Sequence, residues 1–476
     1  GAELIRMLHV LLGKSLFMTG MSNYVSKFDG TFATIEDFIN EVCSPKSLID
    51  DKFDVEQFLL WYSQIGTPHI SISRKWNPNS QKLIVEIEQG IPRHEDQAIL
   101  VIPILCSIVN SKNTPNDERL IILDKKKKRF EFFVNNHKET KPVISFFRSF
   151  SAPVTWHTDY LDDENLYLLK YDDDAFSRWE AGQNLMRKCI INRLNYGKPS
   201  KELESGLISS LEFIFANSYS ESNLILSSLI TVPGFSEIEL LQSEIDPLLL
   251  FKARNDFSSF LGKALKNSLK MFLSRSKIDL LAEWPEGQIS RRNTAIAWKL
   301  LLLGGDETIY QELLNAVSSN SMTLARSALL ALHQIDCKTR DLALQVFYER
   351  WNNRPVILDS WFALIASMPS LNGLDTTKKL LSHPKFDMKA PNSIRAVLGG
   401  FSNNIPAFHA LNGSGYQFIC DQLIDLDSRN PITASRLAKI FMRWESYAKP
   451  YKENMYKSIH KLSIASLSSN TKEVIS

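Results

Sequence analysis

Apolar residues recur at intervals of three and four from the start of the chain, with Leu4, Ile5, Leu8, Leu11 and Leu12 along one side, so residues 1–66 read as helices. Thr34 and Asp37 have the spacing of a capping box ahead of Phe38 and Val42. A further helix through Val55, Phe58, Leu59 and Tyr62 is expected to end at Gly66, because Pro68 cannot continue it and glycine relieves the backbone at a helix terminus. From His69 the period drops to two. Ile70 and Ile72, then Leu83, Val85 and Ile87, then Leu120 to Leu123, Phe130 and Phe132, and Val143 to Phe150 read as short strands. Asn77-Pro78-Asn79, Pro115-Asn116-Asp117 and Asn135-Asn136 break them, which predicts a small antiparallel β-sandwich over residues 67–157. Pro103 lacks the N–H that a central strand donates, so its strand is expected to be an edge or to carry a bulge.

After Asp159 the helical period returns and persists. Leu207, Leu211, Ile214 and Phe215 form one stripe, and Phe257, Phe260, Leu261, Leu265 and Phe272 another. The clearest is Leu437, Ile440, Phe441 and Trp444. So many short helices stack more readily in consecutive antiparallel pairs than around one core, and residues 158–476 are expected to form a superhelical array, although no fixed repeat length is visible. The fold class is therefore multidomain and mainly α.

Composition adds exclusions. The chain has 476 residues, long enough for about three domains at roughly 150 residues each. With 55 Lys and Arg against 53 Asp and Glu, the net charge of +2 gives no global pull toward nucleic acid or a membrane. Cys43, Cys106, Cys189, Cys337 and Cys420 lie far apart, without a CxxC pair, which points to a reducing compartment such as the cytoplasm and away from a disulfide framework or zinc ribbon. No apolar run is long enough to span a bilayer, and Gly1 to Leu12 lacks the features of a signal peptide. The sequence opens without Met and directly in helical periodicity, so it reads as a piece of a longer protein.

The search for chemistry is mostly negative. Among nine histidines none stands in H-E-x-x-H, and the pair His94-Glu95 has Ala98 where the second ligand would be needed. Asn412-Gly413-Ser414-Gly415-Tyr416 lacks the strand and the Lys-Ser/Thr of a phosphate loop and reads as a tight turn between helices. The basic run Lys125 to Arg129 has no interleaved aromatics for stacking bases and reads as a solvated hairpin tip. Asp162-Asp163-Glu164 and Asp172-Asp173-Asp174 lack the glycine and terminal glutamate of a calcium loop, which leaves capping or solvated acids. The residues by themselves reveal no catalytic or metal site.

Several words of sequence, in order along nearly all of the chain, are similar to the aminopeptidase N family of bacterial zinc peptidases. Gly1-Ala2-Glu3-Leu4-Ile5-Arg6-Met7 resembles the helix after the family's catalytic tyrosine, and Trp61-Tyr62-Ser63-Gln64-Ile65-Gly66-Thr67-Pro68 its passage into the β-sandwich. Ser149 to Val154 is similar to the last sandwich strand, and Phe176 to Gln183 to an early helix of the C-terminal domain. Asp359 with Trp361-Phe362, Pro391-Asn392 with Ile394-Arg395, Phe408-His409, Gly413 to Tyr416, and Ser428 to Pro431 with Ala434 to Leu437 continue the match.

The resemblance implies that residues 1–66 are the end of a thermolysin-like catalytic domain, followed by the sandwich and a helical domain that caps an internal substrate chamber. The zinc ligands, the water-activating glutamate, the group holding the peptide's amino terminus and the oxyanion-steadying tyrosine would all precede Gly1. Zinc would thus belong to the parent enzyme and no cofactor to this chain. On this reading the partners are peptide substrates and the absent catalytic domains, with no nucleic acid or membrane, and the protein is a monomer. Arg436 and Arg395 match positions toward the chamber, and Arg436 is the best candidate for holding a substrate's carboxylate or carbonyl oxygens, the alternative for both being a salt bridge between helices. Ile432 stands where the bacterial pattern Asn-Pro-Gln turns a glutamine to the chamber, making that wall more apolar, and Ser360 stands where the family often has lysine. A different class of function, a catalytically silent helical scaffold for protein partners, is separated by whether H-E-x-x-H and a tyrosine are encoded upstream.

Overall fold

A computed structural model describes the chain except for residues 46–52, 91–97, 110–115, 135–140, 218–223, 277–279, 282, 284–285 and 476. The pair His94-Glu95 and the breaks at Pro115 and Asn135-Asn136 lie outside the described residues. The chain forms two compact units, Gly1–Leu185 and Met186–Ser476. None of the described helices is long and apolar enough to cross a membrane.

The first unit opens with helices Ala2–Leu12, Lys14–Phe28, Ile35–Cys43 and Val55–Ser63. The capping box is formed as expected: Asp37 N–H donates to Thr34 Oγ1 at 3.1 Å, and Thr34 N–H donates to Asp37 Oδ2 at 2.9 Å. The fourth helix stops at Ser63, three residues before the expected end, and Gly66 follows with φ +94° in the linker. Gln57 and Trp61 donate from that helix to the carbonyls of Ile99 and Val101 at 3.0 and 2.9 Å, which ties it to the sheet region.

Seven strands follow, β1 (His69–Asn77), β2 (Lys82–Gly90), β3 (Ile102–Ile108), β4 (Glu118–Leu123), β5 (Lys127–Phe133), β6 (Ile144–Phe146) and β7 (Thr155–Thr158). They form two sheets, ordered β5-β2-β1-β7 and β4-β3-β6. All pairings are antiparallel except β1 with β7, which is parallel. Alternation sends Ile70, Ile72, Leu83, Val85 and Ile87 into a core shared with Ile104, Ile121, Ile144 and Phe146 from the other sheet and with Met7, Leu8, Leu11 and Phe58 from the helices.

Pro103 departs from expectation. β3 is the middle strand, and its register with β4 runs from Ile102↔Leu123 to Ser107↔Glu118 without a bulge. The proline is tolerated because β6 pairs only with Cys106 to Ile108, so this side of β3 is open at residue 103. Ser151 Oγ covers it instead, accepting from Leu105 N–H and donating to Pro103 O, each at 3.1 Å.

Two charged centres complete the unit. Arg74 takes an inward position on β1 and donates twice to Glu164 at 2.9 Å and once to Asp159 at 2.5 Å. Arg148 donates to Glu118 at 2.9 Å and to Asp172 and Asp173, each at 2.5 Å. Asp174 accepts from Ser149 N–H at 2.9 Å and from Ser177 N–H at 2.8 Å, capping the helix Ala175–Tyr196. Burial raises the pKa of Asp172 against the opposing charge of Arg148. At Asp173 burial is outweighed by Arg148 and Asn116, which bring its pKa down to about 2. Asp163 and Asp173 stay exposed, while Glu164, Asp172 and Asp174 are thus buried as caps and partners of arginine. Their grip also holds Phe147, Ser149 and Phe150 at positive φ, a conformation that costs of order 1 kcal/mol or more for each such side chain. The basic run at the β4–β5 hairpin is likewise balanced, Lys127 pairing with Glu86 at 2.9 Å and Lys128 with Asp124 at 2.8 Å.

The described elements of the second unit are helices, with one isolated parallel bridge between Ile245 and Tyr447. Neighbours in sequence pack on one another, as Lys266–Ser276 does on Glu286–Leu303, Tyr310–Val317 on Met322–Leu332, and Lys338–Trp351 on Pro355–Ser367. Gly262 and Gly304 mark a close crossing, since a Cβ on Gly262 would lie 2.0 Å from Leu300 O. The stripe Leu437 to Trp444 is not one α-helix: Pro431–Ala438 gives way to 3₁₀ turns at Lys439–Phe441 and Trp444–Ser446. Gly413, at φ +71°, makes the tight turn before Ser414–Asp427, and Gly415 lets that helix pass Phe408, whose carbonyl oxygen would be 2.4 Å from an added Cβ.

Candidate functional site

Arg395 and Arg436 lie 41 positions apart in sequence, and the fold brings them to one open cleft of about 510 Å³ in the second unit. Ser367, Gly399, Gly400 and Ile440 share its lining. Each wall has a local cause. Pro391, at the first position of its helix, supplies the fixed φ that starts a helical turn. The helix then widens into a π-turn at Arg395–Gly399, a geometry frequent at functional sites. Gly400 allows this segment to approach Ala363 and Ala366, since an added Cβ would stand 3.0 Å from the Ala366 methyl. On the facing side, Asn430 caps Pro431–Ala438 by accepting from Thr433 N–H at 3.0 Å, and Leu437 and Ala434 face inward while Arg436 is exposed.

The two arginines differ in what they touch. Arg395 Nε donates to Pro391 O at 3.3 Å and an Nη to Asn392 Oδ1, both within its own helix start. Arg436 makes no hydrogen bond or ion pair among the described residues. No carboxylate pairs with either guanidinium among those residues, so the inter-helix salt bridge weighed as their alternative is not formed there. Two sets of cationic donors facing a cleft can receive a carboxylate or a row of carbonyl oxygens. Ile432 precedes Arg436 by one helical turn and is 58% exposed, but it does not line the cleft. Ser360 lies on the helix Pro355–Ser367, beside Asp359, which accepts from Ser393 Oγ at 2.6 Å.

Sequence reading missed Ser367 and the residue behind it. Ser367 Oγ donates to Ala363 O at 2.7 Å, and His333 Nε2 lies 3.0 Å from the same oxygen. Burial, then the charge of Lys299, pushes the His333 pKa down to about 4, so the ring is neutral near pH 7. No linear spacing links residues 333, 367, 395 and 436. The adjacent pair Gly399-Gly400 was the one local sign of a close approach.

Among the described residues none are grouped to fit a catalytic zinc ion. The sequence has no H-E-x-x-H, and the described residues contain no group of three or more His, Cys, Asp or Glu able to hold a metal. The cleft has no metal-holding group in its lining among those residues.

Comparison with known proteins gives these features a context. A family described as a domain of unknown function with ARM repeats, DUF3458_C, matches residues 162–476, and a second with an Ig-like fold, DUF3458, matches residues 66–159. The aminopeptidase N of Escherichia coli is 30% identical over 482 residues, covering 97% of this chain and 54% of that protein. That of Haemophilus influenzae is also 30% identical, covering 98% of this chain and 54% of the relative, and that of Caulobacter vibrioides is 28% identical over 94% and 51%. The chain thus spans about half the length of the curated relatives it matches. Among solved structures, Legionella pneumophila aminopeptidase A in complex with aspartic acid aligns over 100% of this chain and 55% of its own, with a TM-score of 0.85 and 27% identity.

Proposed function

The chain belongs to the DUF3458_C family, and from this premise we propose that it is the C-terminal part of a zinc-dependent aminopeptidase that removes amino-terminal residues from peptides. The observation that carries this reading is the likeness to aminopeptidases N over 94–98% of the chain. In the whole enzyme the metal and its activated water would be held by residues outside this sequence, and this part would supply the sandwich and the helical wall of the substrate chamber. The cleft is where we place the downstream part of a bound peptide. Arg436, unpaired and exposed, offers donors to its carbonyl or carboxylate oxygens, and Arg395 stands across the same cleft. Ile432 would add an apolar contact one turn away.

Without a Lewis acid or an activated water, the isolated chain is expected to be inactive. The partners on this reading are peptides and the catalytic domains, with neither nucleic acid nor membrane, and the protein acts as a monomer in the cytoplasm. The spread of five cysteines without a CxxC pair supports that compartment. The test is to incubate the 476-residue chain with alanine p-nitroanilide and measure its bound zinc. Neither nitroaniline release nor stoichiometric zinc is expected, and a chelator-sensitive release would refute the assignment of the reacting centre to the missing part.

A further inference from the structure

Ser367, in the lining of the cleft, touches His333, which is not part of that lining. Arg254 lies on Pro247–Ala264, Lys299 on Glu286–Leu303, and His333 directly follows Met322–Leu332, three helices that pack in succession. His333 meets Ser367 at 3.0 Å, and Ser367 lines the cleft with Arg395 and Arg436. Successive elements of the array therefore each carry a cation or a polar donor, and the charge of Arg254 acts on Lys299 and that of Lys299 on His333. We propose that Arg254, Lys299, His333 and Ser367 extend the cleft into an anion-binding track, and that its ligand is an extended peptide with acidic side chains repeated along it. The proposal rests on the reading of the cleft as a peptide site and specifies which peptides it favours.

Lys299 carries most of the argument. It makes no hydrogen bond or ion pair among the described residues, although burial and then the charge of Arg254 push its pKa down to about 8. Lys299 is half-buried, and an ammonium that has lost part of its water beside other cations gains from an anion that a ligand can supply. Arg254 uses Nε to donate to Pro233 O at 2.7 Å, which leaves its terminal nitrogens available, and Glu237 is the acid close enough to act on it. His333, neutral near pH 7, contributes hydrogen bonding and no charge.

Geometry sets the spacing of the ligand. Packed helices stand about 8–10 Å apart. A peptide in the polyproline II conformation presents every third side chain on one face, about 9 Å apart. An acidic residue at every third position therefore meets one helix after another.

The test uses the full 476-residue chain and two fluorescein-labelled, C-terminally amidated dodecapeptides of Ala and Pro, one with Glu and one with Gln at every third position. Fluorescence anisotropy at low salt should show the Glu peptide binding about tenfold tighter or more, the scale of one or two charge-assisted contacts. Lys299→Met should reduce that preference to below about threefold with the affinity for the Gln peptide unchanged, and Lys299→Gln should repeat the result if methionine disturbs packing. Equal binding of the two peptides to the wild-type chain, or a preference that survives both Lys299 substitutions, would overturn the proposal. Arg436→Ala should weaken both peptides. If it weakens neither while the Lys299 variants still abolish the preference, the peptide reading of the cleft falls and the acidic preference of the track stands.

Discussion

At the scale of single residues, the informative contrast is between arginines with partners and one without. Arg74 and Arg148 are each satisfied by carboxylates, and removing either would strand a buried acid. Arg436 is satisfied by nothing in the described chain, so its loss leaves no group unpaired and should be nearly neutral for stability. On the function proposed above, Arg436→Ala in the full-length protein is therefore expected to raise KM for tri- and tetrapeptides about tenfold, with KM for alanine p-nitroanilide unchanged within about twofold, since the smaller substrate would not reach the cleft. Steady-state kinetics on both substrates checks this, and an unchanged ratio of the two KM values would leave Arg436 without a substrate role.

At the scale of elements, small residues decide where helices can cross. Gly262 packs against Gly304 and the Leu300 carbonyl so closely that a methyl group would overlap backbone on the neighbouring helix. The helices that meet there, Pro247–Ala264 and Glu286–Leu303, are also those that carry Arg254 and Lys299. Gly262→Ala is expected to destabilise the second unit by at least about 2 kcal/mol, despite alanine's better helix propensity, because the backbone cannot relax as a side chain would. Urea unfolding followed by circular dichroism would measure it, and a gain in stability would show that the crossing accommodates a methyl group. Local signals placed elements well where the cause was local: Thr34 with Asp37 starts a helix, and Gly413 makes a turn. They failed where a neighbour intervened. Pro103 sits in a central strand because β6 is too short to reach it and Ser151 takes its place, which no pattern along the strand reveals.

At the scale of the whole molecule, folding buries two histidines in their neutral form. Burial pushes His409 down to about 3, and burial with the Lys299 charge pushes His333 down to about 4. An unfolded histidine titrates near 6.5, so below that pH the unfolded chain binds more protons than the folded one and stability falls as pH falls. This contribution is complete above about pH 6.5 and is lost progressively down to the folded values, with a slope approaching about 1.4 kcal/mol per pH unit for each ring. Unfolding free energies measured at pH 7, 6, 5 and 4.5 should show that acid limb. His409→Gln should flatten it by about one histidine's share, and an undiminished slope would mean that other groups produce it.

The sequence by itself determined the order of helical, stranded and helical regions, the turn and cap residues, and the absence of a zinc motif, because each depends on residues near one another along the chain. Its resemblance to aminopeptidase N also singled out Arg395 and Arg436. Tertiary structure alone decided that these two share a cleft, that neither is held by a carboxylate among the described residues, and that His333 meets Ser367 in its lining. The reason is physical: a helical array brings together residues tens of positions apart through packing of whole helices, and periodicity records which face of a helix is buried but not which neighbour it is buried against.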